Sequence, residues 1–395
     1  MATILVTWEL GGGLGHTVRL TPILRGLRKR GHSVLAALCE LSRIDARFED
    51  LGITCIQAPV RVRKADHRID PARTFAHVLH NVSCGDSGEL RMLSRAWRNL
   101  YDLVRPGLIL FDHSPTALLA SRAFDAKRAV VGTGFCCPPD ESPFRDLRPW
   151  MPDASESLKQ DEQRVLDRVN CLLAEWKLAP LDRLSQLYAE VDDTFLCTFP
   201  ELDHYPGRQN AAYYGVWSER GGKAPVWPEG QGKRVFAYLK PFPALPRLLE
   251  RLSQLACPTL LLADGIDGSV ETRFRSPTLR FERERLDMSQ VAEQCDLAIL
   301  NGGHGATAAV LLSGKPVLEI PLYLEQTIVT RNVESLGAGL GASGRIADDI
   351  PAALAEILGR DKYAEAARSF AERHADFDPE QEVRQMVDRL DELVA

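Results

Sequence analysis

One pattern restricts the fold more than any other, and it occurs twice. It is a short apolar run, a glycine-rich turn, a helix-forming run and a second short apolar run. Residues 296–326 read DLAILNGGHGATAAVLLSGKPVLEIPLYLEQ. Asp296 to Leu300 suits a buried parallel strand. Asn301-Gly302-Gly303-His304-Gly305 is the turn, and Ala306 to Leu312 is rich in helix formers. Gly314-Lys315-Pro316 ends that helix, because glycine permits a left-handed exit and proline cannot continue. Val317 to Ile320 is the next strand. Near the N-terminus the same order recurs: Ile4 to Thr7, then Gly11-Gly12-Gly13-Leu14-Gly15-His16, then Leu20, Ile23, Leu24 and Leu27 at helical spacing, then Ser33 to Leu38. Each is a βαβ unit. The chain is therefore expected to be α/β, with two similar domains that each carry a glycine turn at the ligand edge of a sheet.

A glycine turn feeding a helix N-terminus offers unpaired backbone N–H groups and the positive end of the helix dipole, which suits a phosphate. Thr307 can add a hydroxyl from the first helical turn. Glu325 and Gln326, after the following strand, can grip hydroxyls of a group attached to that phosphate. The plainer alternative is that the glycines only permit close helix–strand packing. In the first turn the dinucleotide fingerprint G-x-G-x-x-G is met at Gly11 and Gly13 but fails at His16, although Glu40 stands where a ribose-binding acid would. That failure disfavours a nicotinamide or flavin site. His16 itself is a candidate general base at the carboxyl end of the first strand, or else a helix-terminal residue bonding to local backbone. Leu108 to Phe111 is a buried strand ending at Asp112. That carboxylate can orient His16 if the two strands are neighbours, or merely cap the helix that follows.

Residues 87–104 form an amphipathic helix through Leu90, Leu93, Trp97, Leu100 and Val104, and residues 136–153 are a proline-rich loop. His77, His80 and Cys84 fall on one helix face. They could hold a metal, but no fourth ligand is evident, so an ordinary helix with polar side chains is expected and no metal site is assigned. Residues 200–234 shift to proline, glycine and polar residues, which marks a domain boundary. The expected organisation is an N-terminal domain over 1–215, a linker over 216–234, a C-terminal domain over 235–378, and a C-terminal helix over 379–395 packing back toward the N-terminal domain.

Composition excludes some classes. The 395-residue chain has a net charge of −6 and no basic block, which disfavours nucleic acid as a partner. No apolar run approaches the ~18 residues of a membrane span, and the N-terminus lacks the pattern of a signal peptide. The nine cysteines are scattered and mostly inside apolar runs, as reduced thiols of a cytoplasmic protein would be.

With these residues in view, the segment GGHGATAAVLLSGKPVLEIPLYLEQ resembles the nucleotide-sugar motif of family 1 glycosyltransferases of GT-B fold. Those typically show H-G-G-x-G-T, an apolar helix, G-x-P, an apolar strand ending in P, and D-Q. GLGHTVRLTPILRGLRKRGHSV resembles their G-H-x-x-P-x-x-x-L-x-x-x-G-H opening, and FDHSPTALLASRAFDAKRAVV their Asp-bearing strand, helix and strand. The likeness spans both halves in order. It is nearest to the bacterial, macrolide-type UDP-glycosyltransferases and more distant from MurG. It implies two facing Rossmann-like domains with an interdomain cleft.

The resemblance further implies an inverting, metal-independent transfer of a sugar from a UDP- or dTDP-sugar to a hydroxyl of a small molecule. His16 would be the base and Asp112 its orienting carboxylate. Gly302, Gly303, Gly305 and Thr307 would form the diphosphate turn, with His304 beside them. Glu325 and Gln326 would bind the donor sugar, and Leu286 would line the base. Gly13, Gly15, His113 and Phe135 fall on the acceptor side, and Phe75, Phe144 and Trp150 hint at an apolar acceptor. No cofactor is implied beyond the nucleotide-sugar cosubstrate. Three departures stand out. Asn301 replaces a phosphate-contacting histidine, Ala306 makes the turn one residue longer, and Lys240-Pro241 replaces Gly-Ser or Gly-Thr. Lys240 can supply the charge missing at Asn301. A non-catalytic nucleotide-binding protein of the same fold is the alternative. A sugar-nucleotide 2-epimerase is disfavoured, because Ala308 and Ala309 stand where it should carry paired glutamates.

Overall fold

The computed structural model describes residues 1–13, 15–41, 48, 50–61, 66–218 and 221–395. Leu14 of the first turn, residues 62–65, and residues 219–220 of the expected linker lie outside them.

The apolar runs become two six-stranded parallel sheets. In the first, β1 (Thr3–Trp8), β2 (Ser33–Leu38), β3 (Thr54–Gln57), β4 (Leu108–Asp112), β5 (Lys127–Gly132) and β6 (Asp193–Leu196) lie in the order β3-β2-β1-β4-β5-β6. In the second, β7 (Val235–Leu239), β8 (Thr259–Ala263), β9 (Leu279–Glu282), β10 (Leu297–Leu300), β11 (Val317–Glu319) and β12 (Gly339–Gly341) lie in the order β12-β11-β10-β7-β8-β9. Counted within each sheet, both follow the doubly wound order 3-2-1-4-5-6. In such sheets ligands bind outside the carboxyl ends of the strands where the order reverses. The reversal falls between β1 and β4 in one sheet and between β7 and β10 in the other.

Strand composition explains the burial. All five residues of β4 and all four of β10 are buried, as strands covered on both faces must be. The helices that position the site are α1 (Gly15–Lys29), α2 (Ser87–Val104), α3 (Pro115–Ser121), α4 (Ser155–Glu175), α5 (Leu245–Leu255), α6 (His304–Leu312), α7 (Leu324–Leu336), α8 (Asp349–Gly359) and α9 (Pro379–Glu392). Helix α2 begins where the Asp86 carboxylate accepts the Glu89 N–H at 2.7 Å, and it ends at Arg105 in the left-handed region. Its Trp97 and Tyr101 are fully buried, and the Tyr101 hydroxyl donates to the Ala117 carbonyl of α3 at 2.7 Å.

The chain divides into two compact units. One comprises Met1–Thr198, Tyr205–Gly215 and Asp378–Ala395; the other comprises Phe199–His204 and Val216–Phe377. Helix α9 belongs to the first unit and packs on α1. The contact requires Gly26, since a Cβ there would come within 2.6 Å of Val387. Arg30 pairs with Asp388 and Asp391, and His32 Nε2 lies 2.8 Å from Asp391. In the second unit Phe199 at the crossing segment packs edge-on against Phe370 and Phe377.

Two local expectations are corrected. Residues 337–341 read from the sequence as a glycine-rich turn, but Gly339–Gly341 is the short strand β12, which pairs with β11. Glu325 and Gln326, expected in a loop, lie in the first turn of α7.

Candidate active site

The first glycine turn brings His16 to the reversal point of its sheet. Trp8 of β1 pairs in register with Asp112 of β4, so the two strand ends are neighbours. His16 is the second residue of α1, and its Nδ1 lies 3.0 Å from Asp112 Oδ1. Trp8 stacks on the imidazole with ring centres 4.7 Å apart and planes 22° apart, which fixes the ring from one side. Gly11 fixes the other end. Its φ is +86°, and a Cβ at that position would come within 2.7 Å of His16 Nε2. Glycine is therefore required both for the backbone and to leave Nε2 open.

Asp112 is fully buried and holds a second partner that sequence reasoning misses. Arg19 Nη1 lies 3.2 Å from the same Oδ1. Burial works to raise the Asp112 pKa, but the Arg19 guanidinium and the His16 imidazole outweigh it and hold the group below the usual carboxylate range. The signal for Arg19 was its spacing: three residues after His16, it shares the same helix face. In the G-H-x-x-P motif that position is proline, and this chain places its proline at Pro22 instead.

A second missed residue is Glu9, after β1. It is buried and accepts the N–H groups of Thr116 and Ala117 at 3.0 and 3.3 Å and the Thr116 hydroxyl, which anchors α3 beneath Asp112. Burial pushes its pKa up to about 7 despite those bonds. Asp112 itself does not cap α3.

The acceptor-side residues separate into two groups. His113 adopts φ +46°, its carbonyl accepts the Leu10 N–H at 3.1 Å, and its ring meets Phe135 edge-on at 6.0 Å. Gly13, at φ +97°, is half-buried, and Gly15 is exposed at the head of α1. Phe75 and Phe144 instead pack against each other in the core, with Tyr188 on Phe75. They are core side chains rather than a surface for an acceptor, while Trp150 is exposed. His77 contacts Asp161 at 3.1 Å and accepts the Arg73 N–H, and His80 contacts the His67 carbonyl at 2.9 Å. The expected ordinary helix is interrupted here: His77 lies in a short α-helix, Phe75–Leu79, and His80 to Cys84 form a π-helical turn.

In the second unit the reversal point joins Lys240, after β7, to Asn301, after β10. Asn301 Oδ1 accepts the Lys240 backbone N–H at 2.8 Å, and its Nδ2 donates to the Ile320 carbonyl at 2.9 Å. The amide therefore ties three strand ends together. The Lys240 ammonium lies 3.7 Å from Asp264.

The turn then enters α6 at His304, with Gly303 as the capping residue, so Gly305 and Ala306 lie in the first helical turn. Gly303 and Gly305 are exposed. His304 stacks on His204 at 5.8 Å. Gly302, at φ +75°, packs against α7, where a Cβ would meet the Gln326 carbonyl at 2.8 Å. Gln326 is buried and its Oε1 accepts the Leu322 N–H at 2.8 Å, while Glu325 is half-buried beside it. Leu286 is buried in the core, and the backbone on either side of it pairs with Lys223: Lys223 donates to the Arg285 carbonyl at 2.8 Å and accepts the Asp287 N–H at 3.0 Å.

Thr307 differs from expectation. It is fully buried, and its hydroxyl donates to Glu319 Oε1 of β11 at 2.7 Å. A helix turns about 100° per residue, so a hydroxyl one position later than in the family pattern faces the sheet. Ala306, half-buried at the preceding position, carries no hydroxyl. Burial pushes the Glu319 pKa up to about 7, against hydrogen bonds from Thr307 and the Gly302 N–H.

No protein-family model matches the chain. Among curated proteins it is 24% identical over 370 residues, covering 86% of this chain and 79% of the relative, to a PGL/p-HBAD biosynthesis rhamnosyltransferase of Mycobacterium bovis (strain BCG / Pasteur 1173P2). Among solved structures it matches the glycotransferase of kitacinnamycin with a TM-score of 0.70 and 18% identity, over 100% of this chain and 99% of that one. It matches the spinosyn rhamnosyltransferase SpnG with a TM-score of 0.65 and 16% identity, over 98% and 100%. The chain has the GT-B fold of these glycosyltransferases. The macrolide-type likeness seen in its motifs agrees with these neighbours, and the two Rossmann-like units are those of that fold.

Proposed function

We propose that the chain transfers a sugar from a nucleoside diphosphate sugar to a hydroxyl of a small molecule, with inversion at the anomeric carbon and without a metal ion. The observation that carries this is the His16–Asp112 contact at the reversal point of the first sheet, in a chain whose second sheet carries a glycine turn and helix N-terminus at the equivalent point. His16 Nε2, left open by Gly11, takes the proton of the acceptor hydroxyl as its oxygen attacks. Asp112 at Nδ1 fixes the tautomer and stabilises the imidazolium. The N–H groups at the head of α6 and the His304 side chain stabilise charge on the departing diphosphate. Glu325 and Gln326 orient the sugar from α7.

Support for the donor class comes from the relatives. One is a rhamnosyltransferase, and SpnG has a structure in complex with thymidine diphosphate. A thymidine diphosphate deoxysugar is therefore the first donor to try. Another SpnG structure is complexed with spinosyn aglycone, which supports a small-molecule acceptor.

A nucleotide-binding protein without transferase activity has one observation in its favour: the Asn301 amide is engaged by backbone on both sides, so it does not serve as a phosphate ligand. Donor turnover separates the two. The active enzyme releases nucleoside diphosphate from its donor, slowly without acceptor and faster with one, and replacing His16 with alanine stops it. A chain that binds nucleotide but never releases diphosphate is the auxiliary protein.

A further inference from the structure

Arg19 is a buried guanidinium with its charge directed at Asp112. Its side chain is 11% exposed, it comes from the same helix as His16, and it meets the same carboxylate oxygen at 3.2 Å. Asp112 Oδ2 has no hydrogen-bond partner among the described residues. The carboxylate is thus served by one cation and one imidazole, both at Oδ1.

Among the described residues two further basic groups stand near: His113, which also works to lower the Asp112 pKa, and Arg208, which acts on Cys137. His113 follows Asp112 on β4. Cys136 and Cys137 come from the turn after β5 and Cys197 from the end of β6, all close to Arg19; Cys39, at the end of β2, and Glu9, after β1, lie farther off. Burial pushes the Cys197 and Cys39 thiols up to about 12 and the Cys137 thiol higher, so they are neutral, and Glu9 bonds to α3. The packing at Gly132, where a Cβ would meet Cys136 at 2.8 Å and Arg19 Nη1 at 3.4 Å, holds the guanidinium against Asp112.

A buried carboxylate must be compensated. If only His16 faced Asp112, the carboxylate's charge would favour a proton on the imidazole, and a protonated imidazole is no base. With Arg19 present, Arg19⁺ and Asp112⁻ already sum to zero, and a protonated His16 would add net positive charge beside the guanidinium.

We propose that Arg19 is a positioning residue that neutralises Asp112 and so keeps the His16 imidazole uncharged and competent as a base. The inference rests on His16 being the base of the proposed transfer. It also gives Asp112 a divided role: it aligns His16 through Oδ1 while its charge is balanced elsewhere.

The test is the pH dependence of kcat/KM for diphosphate release in the full chain, for Arg19→Met, Arg19→Lys, Asp112→Asn and the double variant Arg19→Met with Asp112→Asn. Expected is a shift of the acidic limb of the Arg19→Met profile to higher pH by about one unit or more, with rate recovering at alkaline pH. Arg19→Lys keeps the limb near its wild-type place. In the Asp112→Asn background, Arg19→Met moves it no further, and that double variant buries no lone charge, so it remains informative if Arg19→Met alone fails to fold. A uniform rate loss with an unmoved limb, an equal shift in Arg19→Lys, or the same shift with Asp112 already replaced would each overturn the proposal. A His16→Ala enzyme that still turns over would instead overturn the underlying assignment of the base.

Discussion

His16 and Asp112 meet at 3.0 Å where the order of the first sheet reverses, although 95 positions separate them in the chain. The contact follows from topology. β1 and β4 become neighbours only because the chain winds outward from β1 to β3 and then returns to the other side. At the equivalent point of the second sheet, Lys240 and Asn301 are joined through backbone rather than through paired titratable groups. One sheet thus presents a histidine–carboxylate pair at its reversal point and the other a turn.

Replacing Asp112 with asparagine tests the orienting role. The amide cannot hold the Nδ1 proton as a carboxylate does, and kcat is expected to fall by ~10²–10⁴-fold. The variant also leaves Arg19 buried without its partner, so a loss of about 3–5 kcal/mol in stability should accompany it. Steady-state rates and a denaturant melt on the same sample measure both.

Gly11 and Gly12 provide a matched pair. Gly11→Ala strains a backbone at φ +86° and places a methyl group 2.7 Å from His16 Nε2, whereas a Cβ at Gly12 meets nothing within 4 Å. Gly11→Ala should abolish most turnover while nucleotide binding persists, and Gly12→Ala should keep most of it. Equal effects of the two substitutions on kcat would show that Nε2 is not the reacting atom.

The buried Glu319 makes stability depend on pH. Its pKa is about 7 in the folded chain against 4.5 as the ordinary value. A group whose pKa is raised by folding contributes most below its unfolded pKa, and that contribution is lost as pH rises from about 4.5 through about 7. The loss is on the order of 3 kcal/mol at most. Glu319→Gln removes the ionisation, so the variant should gain melting temperature relative to the wild type at pH 8 and gain little at pH 5. A constant difference across that range would contradict the shift.

Gly302 tests the donor turn. Its φ is +75°, and a Cβ would meet the Gln326 carbonyl at 2.8 Å. Gly302→Ala should separate the turn from α7 and weaken thermal stabilisation by nucleoside diphosphates. Retention of wild-type stabilisation would place the nucleotide elsewhere.

Much of this was legible because it depends on local pattern. The apolar runs at Ser33–Leu38, Val235–Leu239 and Thr259–Ala263 are bounded by turn residues, and they are strands over those residues. The helix expected over residues 87–104 spans them, since its apolar stripe and its Asp86 cap agree. What escaped was non-local or weakly signalled. β12 is Gly-Leu-Gly and carries no strand signature. α7 starts after Tyr323, which is no capping residue, so its first turn looked like loop. Arg19, Glu9 and Glu319 act on partners that only the folded sheets bring near. The inward turn of Thr307 depends on helical phase, which one residue at the start of α6 changes.

The measurement closest to the central claim is made on His16→Ala, with donor turnover and nucleotide binding followed in the same preparation. Diphosphate release from a thymidine diphosphate sugar in the presence of an acceptor should drop ~10²–10⁴-fold, while thermal stabilisation by thymidine diphosphate stays at the wild-type value. Undiminished release in that variant would contradict the account.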